Sequence, residues 1–303
     1  MNWFFIALLA PALWSASNHC DKYLISRYFN GVGTGALVLF SSLVGLLVLP
    51  VILLFQPTVI EVSFSNALAM IVSGIIAIIG IVLYLYAMKK DEASIVTPLF
   101  QTIPVFAFIL GYFVLGETLT VTQMVGSLCI IMGGVALSLD LSAATVRLKT
   151  SVLFLMLGAS LLLATSGLVF KVVAVDTNFW TSTFWGYIGD VSIGIFFLAC
   201  VPIYRREFFY VLRHHTHRFI GLNICNELIT IVAGLCMRFA SLLAPLALVW
   251  TINGFQPFFV FLYGVILTKF FPRISVENIN RKYVIQKIIA IVVLFIGTTI
   301  ITL

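Results

Sequence analysis

Charged residues are scarce in this chain. Of its 303 residues, 9% are Asp, Glu, Lys or Arg, whereas 62% are hydrophobic. An average soluble domain is about 25% charged, so a chain this poor in charge cannot cover a water-soluble surface. The mean hydropathy of +1.16 agrees. The composition therefore excludes a soluble domain and predicts an integral membrane protein.

The common catalytic and cofactor-binding motifs are also missing. There is no GxxxxGK[ST] phosphate loop, no HExxH and no GxSxG. The five cysteines show no paired framework and are interpreted as small core residues. The histidines of "RHHTHR" (His214, His215 and His217) are interpreted as a basic surface segment. We therefore expect no catalytic residues, no cofactor and no metal.

The net charge of +6 raises the question of nucleic acid. In a membrane protein, however, basic residues collect in cytoplasmic loops, and no aromatic-basic platform is present. We expect a small-molecule substrate and membrane lipids as partners, and no nucleic acid. A homodimer stays open, because small residues such as Gly133 and Gly134 serve packing within one chain as well as between chains.

Long apolar runs recur along the chain. A spanning helix needs about 20 mostly apolar residues, and runs this apolar are helices in lipid. The fold class is predicted to be an all-α integral membrane protein with ten transmembrane helices. The predicted spans are 2–20, 34–55, 66–87, 94–115, 121–139, 151–172, 178–200, 218–239, 244–268 and 284–303. A capping box of Thr120 and Gln123 is expected to open the fifth helix.

The Lys and Arg residues are unevenly distributed among the predicted loops. The odd-numbered loops contain 15 of the 17 Lys and Arg; the other two are Lys171 and Arg238. By the positive-inside rule these loops are cytoplasmic and both termini lie outside. We expect a multi-pass protein of a prokaryotic plasma (inner) membrane.

The two halves resemble each other. Lys22 and Lys171 are 149 residues apart, "ASIVTP" (93–98) matches "ASLLAP" (240–245), and "PVFAFILG" (104–111) matches "PFFVFLYG" (257–264). We predict two five-helix repeats, 1–145 and 146–303. Because five is odd, the second repeat is inverted relative to the first, as in many transporters. Chance likeness between two Leu- and Ile-rich segments is the alternative.

Prolines interrupt corresponding helices of the two halves. Pro104 in the fourth helix and Pro257 in the ninth are predicted helix kinks, because proline removes a backbone donor. Such paired interruptions point to a substrate site. Packing is the competing reason for them.

The run Ala93-Ser94…Pro104…Gly116-Glu117…Gln123…Gly126…Gly133 resembles the helix 4–5 signature of the drug/metabolite transporter superfamily, in its ten-helix EamA-type branch. Trp14-x-x-x-Asn18-x-x-x-Lys22 resembles the first-helix pattern of the same family. The resemblance implies a secondary transporter without nucleotide hydrolysis, often an exporter of amino acids or other small metabolites. Its cavity is expected between the halves, lined by helices 1–4 and 6–9.

Two features depart from the family pattern. The second-half counterpart of Gly116-Glu117 falls at Lys269-Phe270, which a long basic insertion follows. Many relatives keep their termini cytoplasmic, whereas the charge count here places them outside. Orientation, and with it export or import, stays open.

Two acids within predicted spans are the main functional candidates. A charge in a span costs about 2.5–3.5 kcal/mol on insertion scales. Asp190 or Glu227 is proposed to bind a proton or the cationic end of a substrate; Asn223 lies one turn before Glu227. The alternative is a structural pair with Lys171 or another basic group.

The remaining candidates are polar or aromatic residues of the predicted cavity. Lys22 and Lys171 either bind a carboxylate or phosphate or extend to the membrane interface. The aromatic residues either line the cavity or belong to interfacial belts. Glu117 is interpreted as a cap-region acid, with gating as the alternative. The other candidates are Trp14, Asn18, His19, Tyr84, Tyr187, Trp250, Asn253 and Gln256.

The sequence thus favours a secondary active transporter of small polar metabolites such as amino acids, working by alternating access, with proton coupling open. A flippase for a lipid-linked sugar or phospholipid is the alternative, with Lys22, Lys171 and Arg238 as phosphate-binding groups. A membrane-embedded enzyme is the third interpretation.

Overall fold

The architecture comes from a computed structural model that describes residues 2–28, 34–90, 96–138, 149–214, 217–270 and 281–302. Within these ranges every regular element is helical. The α-helices are α1 (Asn2–Tyr28), α2 (Thr34–Leu43), α3 (Gly45–Phe55), α4 (Phe64–Lys90), α5 (Ile103–Leu115), α6 (Val121–Ser138), α7 (Thr150–Asp176), α8 (Phe179–Cys200), α9 (Pro202–His214), α10 (His217–Leu243), α11 (Leu246–Thr251), α12 (Gln256–Phe270) and α13 (Arg281–Thr302). Short 3-10 segments cover Pro57–Ile60, Thr97–Thr102 and Ile252–Phe255.

Eight helical stretches of the described chain are long and apolar enough to cross a membrane, so the protein is an integral membrane protein. They are Thr34–Phe55, Phe64–Lys90, Pro98–Leu115, Val121–Ser138, Thr150–Asp176, Phe179–Cys200, Ile220–Leu243 and Leu246–Phe270. Helices α1 and α13 correspond to the first and last predicted spans. The second half of α1 is polar in sequence, and the apolar stretch described in α13 is the shorter Ile285–Ile301. The count of ten spans stays a prediction.

The connection between α5 and α6 follows directly from its sequence. Helix α5 ends at Leu115 and is followed by Gly116, whose φ of 66° lies in the left-handed region that glycine adopts without strain. Helix α6 then opens with a capping box. The backbone N–H of Gln123 donates to Thr120 Oγ1 at 3.2 Å, and the backbone N–H of Thr120 donates to Gln123 Oε1 at 3.0 Å. The predicted capping box is confirmed.

Helices α4 and α8 cross with their backbones in close contact. A Cβ on Gly189 would lie 2.1 Å from the carbonyl oxygen of Ile71, and a Cβ on Gly74 would lie 2.2 Å from that of Gly186. Such contacts need the absence of a side chain, as in membrane helix interfaces rich in small residues. The glycines therefore set the distance between these two helices.

Helices α6 and α13 pack in the same manner. A Cβ on Gly126 would lie 2.7 Å from the carbonyl oxygen of Gly297, and a Cβ on Gly297 would lie 2.7 Å from that of Gly126. At the other end of this pair, Lys287 donates to the carbonyl of Leu137, near the end of α6. The glycines thus contact each other's backbones, and the Lys287 ammonium group interacts favourably with the negative C-terminal end of α6.

Helices α1 and α7 make matching contacts. Helix α1 packs against α10 and α12, and α7 packs against α4 and α5. In the first set Ser17 Oγ lies 3.0 Å from Thr230 Oγ1, and in the second Ser166 Oγ lies 3.0 Å from Ser73 Oγ. Ser17 and Ser166 are 149 residues apart, the spacing that also relates Lys22 to Lys171. Each helix uses an equivalent hydroxyl to contact the opposite half.

We expect Gly189→Ala to lower the thermal unfolding midpoint of the detergent-purified protein. The new methyl group has no room against Ile71, and overpacking of this kind costs about 1–3 kcal/mol. Gly234→Ala in α10 is the matched control, because its new Cβ has no described heavy atom within 4 Å apart from its chain neighbours and the backbone of its own helix. Equal midpoints for the two variants would show that the α4–α8 contact is not tight.

Candidate functional site

A cluster of charged and aromatic side chains lies where α8 meets α4, α7 and α10. We call it the Asp190–Arg238 cluster; it consists of Asp190, Arg238, Tyr187 and Phe170. The carbon Cζ of Arg238 lies 5.2 Å from the ring centroid of Tyr187 and 5.5 Å from that of Phe170. Both rings can therefore stabilise the guanidinium by cation–π attraction. Arg238 is also close enough to Asp190 for their charges to attract each other.

The helix crossing explains why Asp190 reaches the interior. Because Gly74 has no side chain, the carboxylate of Asp190 lies against the backbone of α4, and a Cβ on Gly74 would lie 2.9 Å from Asp190 Oδ1. The exposed fraction of Asp190 is 7%. The same glycines that draw the two helices together thus bring a carboxylate into their interface.

The cluster has hydrogen-bonding capacity that the described protein atoms do not use. Among those atoms, neither Asp190 Oδ1 nor Arg238 Nη1 has a hydrogen-bond partner, and both are buried. A buried polar atom without a partner costs about 1–3 kcal/mol, and more when the group is charged. Water or a polar ligand can remove this cost, which makes the cluster a candidate binding site.

Glu227 lies three turns before Arg238 on α10. Its Oε1 accepts a hydrogen bond of 2.9 Å from Ser41 Oγ of α2. Asn223 is buried one turn before it, and its Nδ2 atom has no hydrogen-bond partner among the described residues. Glu227 and Arg238 are eleven residues apart and therefore lie on one side of α10, and both charges are close enough to act on Tyr187 of α8.

Lys171 pairs with Glu117 and not with Asp190 or Glu227. Its Nζ forms an ion pair with Glu117 Oε1 and donates a 2.6 Å hydrogen bond to the carbonyl of Ala244. Glu117 Oε2 accepts a 2.8 Å hydrogen bond from the backbone N–H of Leu246, the first residue of α11. The acid after α5 therefore caps α11, where a negative charge suits the positive helix end. Lys171, Glu117 and the α10–α11 connection form one interlocked unit.

The two predicted kinks lie at comparable positions. Pro104 and Pro257 are each the second residue of an α-helix that follows a 3-10 segment, Thr97–Thr102 for the first and Ile252–Phe255 for the second. Since a proline has no N–H to donate to the preceding turn, the helix can change type there without losing that bond.

Hydroxyl groups of α1 and α7 hold these two junctions. Thr102 Oγ1 donates to Ser160 Oγ at 2.9 Å, and Ser15 Oγ donates to the carbonyl of Gln256 at 2.9 Å. Within the described ranges, the side-chain oxygens of Asn253 (Oδ1) and Gln101 (Oε1) are buried without a hydrogen-bond partner. The interrupted helices thus place two amide oxygens inside the protein.

The other predicted residues lie apart from the Asp190–Arg238 cluster or have contacts of their own. His19 is buried, with its Nε2 hydrogen-bonded to the carbonyl of Val260 at 2.9 Å, whereas Asn18 is exposed. Tyr84 packs against Phe100 at 4.7 Å between ring centroids. Trp14 and Trp250 are half-buried against the main hydrophobic cluster. The side chain of Lys22 lies outside the described residues.

A polar cavity of about 340 Å³ opens between the α3–α4 connection and the α7–α8 turn. Its lining includes two carboxylates, Glu61 and Asp176, together with the side chains of Thr58, Ser63, Asn66, Asn178 and Thr181. The acids make this mouth electronegative, which favours cationic groups over anions.

Two interior residues are not among the predicted site residues. Sequence reasoning gives Arg238 only as a phosphate-binding group of the flippase alternative, and it does not single out Gln101. A basic residue inside the apolar run "CMRFASLL" is the signal for Arg238, and the Gln between Pro98 and Pro104 is the signal for Gln101. Within the described part of the chain, no three His, Cys, Asp or Glu residues come together to hold a metal ion. The side chains of His214, His215 and His217 lie outside that part.

Comparison with known proteins agrees with the membrane fold. The model of the EamA-like transporter family matches residues 1–139. An uncharacterized protein of Methanocaldococcus jannaschii is 36% identical over 99 residues, which are 33% of this chain and 72% of that protein. An uncharacterized transporter of Clostridium kluyveri is 29% identical over 130 residues, which are 43% of this chain and 41% of that protein.

A protein of known crystal structure has a similar fold. The TM-score is 0.72 at 12% sequence identity, and the match covers 99% of this chain and 96% of the other. At this identity the likeness concerns the fold alone.

We expect Glu117→Gln and Lys171→Met each to lower the thermal unfolding midpoint. Either change leaves the other charge buried without its partner, which costs about 3–5 kcal/mol. The double variant should recover part of the loss, because it buries no unpaired charge. Losses that simply add in the double variant would show that the two side chains do not interact.

Proposed function

The chain belongs to the EamA-like transporter family, and on that premise we propose that it is a secondary active transporter that exports small polar metabolites such as amino acids by alternating access. The Asp190–Arg238 cluster is the proposed substrate site. The observation that carries the proposal is the buried carboxylate and guanidinium whose atoms Asp190 Oδ1 and Arg238 Nη1 lack partners among the described protein atoms. Charges within a membrane span are costly and usually functional.

The proposed architecture is ten transmembrane helices in two inverted five-helix repeats. The matching contacts of α1 and α7 support it, because exchanging the halves maps one set onto the other. The length of the Methanocaldococcus jannaschii relative also supports it. Since 99 residues are 72% of that protein, it is less than half as long as this chain, which suits a single repeat.

The chemistry of the cluster suits a zwitterion. A guanidinium binds a carboxylate through paired N–H donors, and the carboxylate of Asp190 can accept hydrogen bonds from an ammonium group. The rings of Tyr187 and Phe170 beside Arg238 supply apolar surface for a side chain. An amino acid offers both charges and an apolar part within one small molecule.

Proton coupling is proposed through Asp190 or Glu227. The two acids have different partners, because Asp190 lies beside Arg238 and Glu227 accepts a hydrogen bond from Ser41. An acid that gains and loses a proton as access changes can couple flux to a proton gradient. The remaining candidates, Trp14, Asn18, His19, Lys22, Tyr84, Trp250, Asn253 and Gln256, are proposed to line the path.

The Glu117–Lys171 pair is proposed to close one end of the path. It joins the α5–α6 connection to α7 and to the start of α11. By contrast, a Cβ added to Gly221 or Gly234 of α10 would have no described heavy atom within 4 Å apart from its chain neighbours and the backbone of its own helix. The α2–α10 side therefore lacks the glycine contact found between α4 and α8. In a transporter that works by alternating access, a state open to one side of the membrane has equivalent helices of the two halves packed differently.

The proposed location is the plasma membrane of a prokaryote. The charge distribution favours termini on the outer side. The cavity lined by Glu61 and Asp176 then opens outward, since it lies between even-numbered connections.

A flippase for a lipid-linked sugar or phospholipid is the second candidate. It requires basic groups that stay available for a phosphate. Arg238 has a nitrogen that the described protein atoms leave unused, but Lys171 is held by Glu117 and Ala244. The arrangement therefore favours a small solute, and the lipid substrate becomes an outcome of the test.

We expect wild-type proteoliposomes to take up labelled amino acids faster when a pH gradient is imposed. Asp190→Asn and Arg238→Gln should each lower this flux at least tenfold, because each removes one of the two charges that hold the substrate; a loss of about 1.4 kcal/mol of binding corresponds to tenfold. Glu227→Gln should abolish the gradient effect if Glu227 is the coupling acid.

Ser192→Ala is the matched control, because Ser192 is on the same helix as Asp190, is exposed, and hydrogen-bonds only within α8 in the contacts described. Full flux in both Asp190→Asn and Arg238→Gln would remove the cluster from the substrate path. No flux by folded wild type would reject amino acids, and assays of labelled lipid movement would then test the flippase.

A further inference from the structure

Helix α9 lies at the membrane boundary, because short connections join it to a membrane span on each side. A single residue separates it from the end of α8 at Cys200, and two residues separate it from the start of α10 at His217. Both neighbours contain spans, Phe179–Cys200 and Ile220–Leu243. A helix held this closely between two spans has no length of chain with which to move away from the bilayer surface.

The inner face of α9 is firmly attached to the rest of the protein. Tyr204 and Val211 are buried, seven residues apart on one side of the helix. Tyr204 Oη lies 3.3 Å from Tyr86 Oη of α4. Glu207 Oε2 accepts a 2.9 Å hydrogen bond from the backbone N–H of Gly35, in the first turn of α2. These contacts fix the rotation of α9.

The opposite side of α9 is therefore held outward; we call it the outer face, formed by Ile203, Arg205, Arg206, Phe209, Tyr210 and Arg213. All six residues are exposed. Arg206 and Arg213 are seven residues apart and thus lie on one side of the helix. Phe209 and Ile203 remain 42% and 52% exposed. Three cations and several large apolar groups share one surface.

The only acidic residue of α9 does not neutralise this surface. Glu207 points to the N-terminus of α2, where it caps Gly35. Among the described residues, Arg205 makes one long contact, with Nη1 3.4 Å from the carbonyl of Ala199, and these residues leave its other donors unused. The outer face is thus strongly basic and at the same time partly apolar.

We propose that the outer face of α9 binds anionic phospholipid headgroups. An arginine fork matches the oxygens of a phosphodiester, and aromatic and aliphatic side chains between arginines enter the boundary of headgroups and acyl chains, as in interfacial amphipathic helices. A free inorganic anion would use the charge but not the exposed Phe209 and Ile203. The lipid surface is therefore the better match to the whole face.

Lipid bound at this face would also affect α2, because α9 packs against that helix. Phe208 of α9 packs against Phe40 of α2 at 4.9 Å between ring centroids, and Glu207 holds the start of the same helix. Headgroups that hold α9 therefore also stabilise the docking of α2. Lipid binding at the outer face requires neither a particular substrate nor a particular direction of transport.

The test is the thermal unfolding midpoint of the detergent-purified protein titrated with phosphatidylglycerol. We expect the midpoint to rise with this lipid, because a ligand that binds the folded state stabilises it. Phosphatidylcholine and inorganic phosphate should have much smaller effects. In the variant Arg205→Gln/Arg206→Gln/Arg213→Gln the apparent affinity should fall about fivefold for each arginine removed.

Two further variants make the result decisive. Arg205→Lys/Arg206→Lys/Arg213→Lys keeps the charge and should keep most of the response. Lys89→Gln/Lys90→Gln/Lys269→Gln removes three exposed cations from loops of the same parity, and should keep it fully. An equal response in the glutamine variant of α9 and in wild type would overturn the proposal. An equal response to inorganic phosphate would replace the lipid surface with a simple anion site.

Discussion

The cost of placing charge in hydrocarbon governs this structure. A membrane span offers no water to a carboxylate, a guanidinium or an ammonium group, so each must find protein, ligand or the bilayer surface. Lys171 and Glu117 find each other, and in doing so they cap α11 and join three separate parts of the chain. Asp190 and Arg238 are brought close but keep hydrogen-bonding atoms that the described residues leave unused. The first pair is thus satisfied within the fold, whereas the second keeps hydrogen-bonding capacity, which is why it is the proposed substrate site.

Small residues decide which helices approach closely enough for such pairs to form. Gly74 and Gly189 bring α4 against α8 and thereby position Asp190. Among the described residues, Gly221 and Gly234 of α10 make no such contact, and Glu227 instead reaches α2 through a serine hydroxyl. The crossing that holds Asp190 is therefore tight at its glycines, whereas the glycines of α10 make no such contact.

Sequence reasoning reached the helices because their signals are local. The capping box at Thr120 and Gln123 needs only four residues, and the length of an apolar run gives the approximate length of the helix. The partner of Lys171 could not be predicted in this way, because Glu117 lies 54 residues away in sequence and is brought near by packing. The same holds for Arg238 beside Asp190. Helical periodicity gives the face on which a residue lies, but the neighbouring helix depends on how the whole bundle packs.

The reciprocal contact between Gly126 and Gly297 has a bearing on how such a chain could arise. Each glycine accommodates the backbone of the other, as in an isologous dimer interface in which one patch meets its own copy. On the proposed two-repeat architecture, an unfused five-helix ancestor with this patch would associate with a second copy inserted in the opposite sense. On that architecture the basic residues fall in non-equivalent predicted loops of the two halves. Fusion would then give each repeat its own orientation signal, whereas two unfused copies of one sequence would have to insert in both senses.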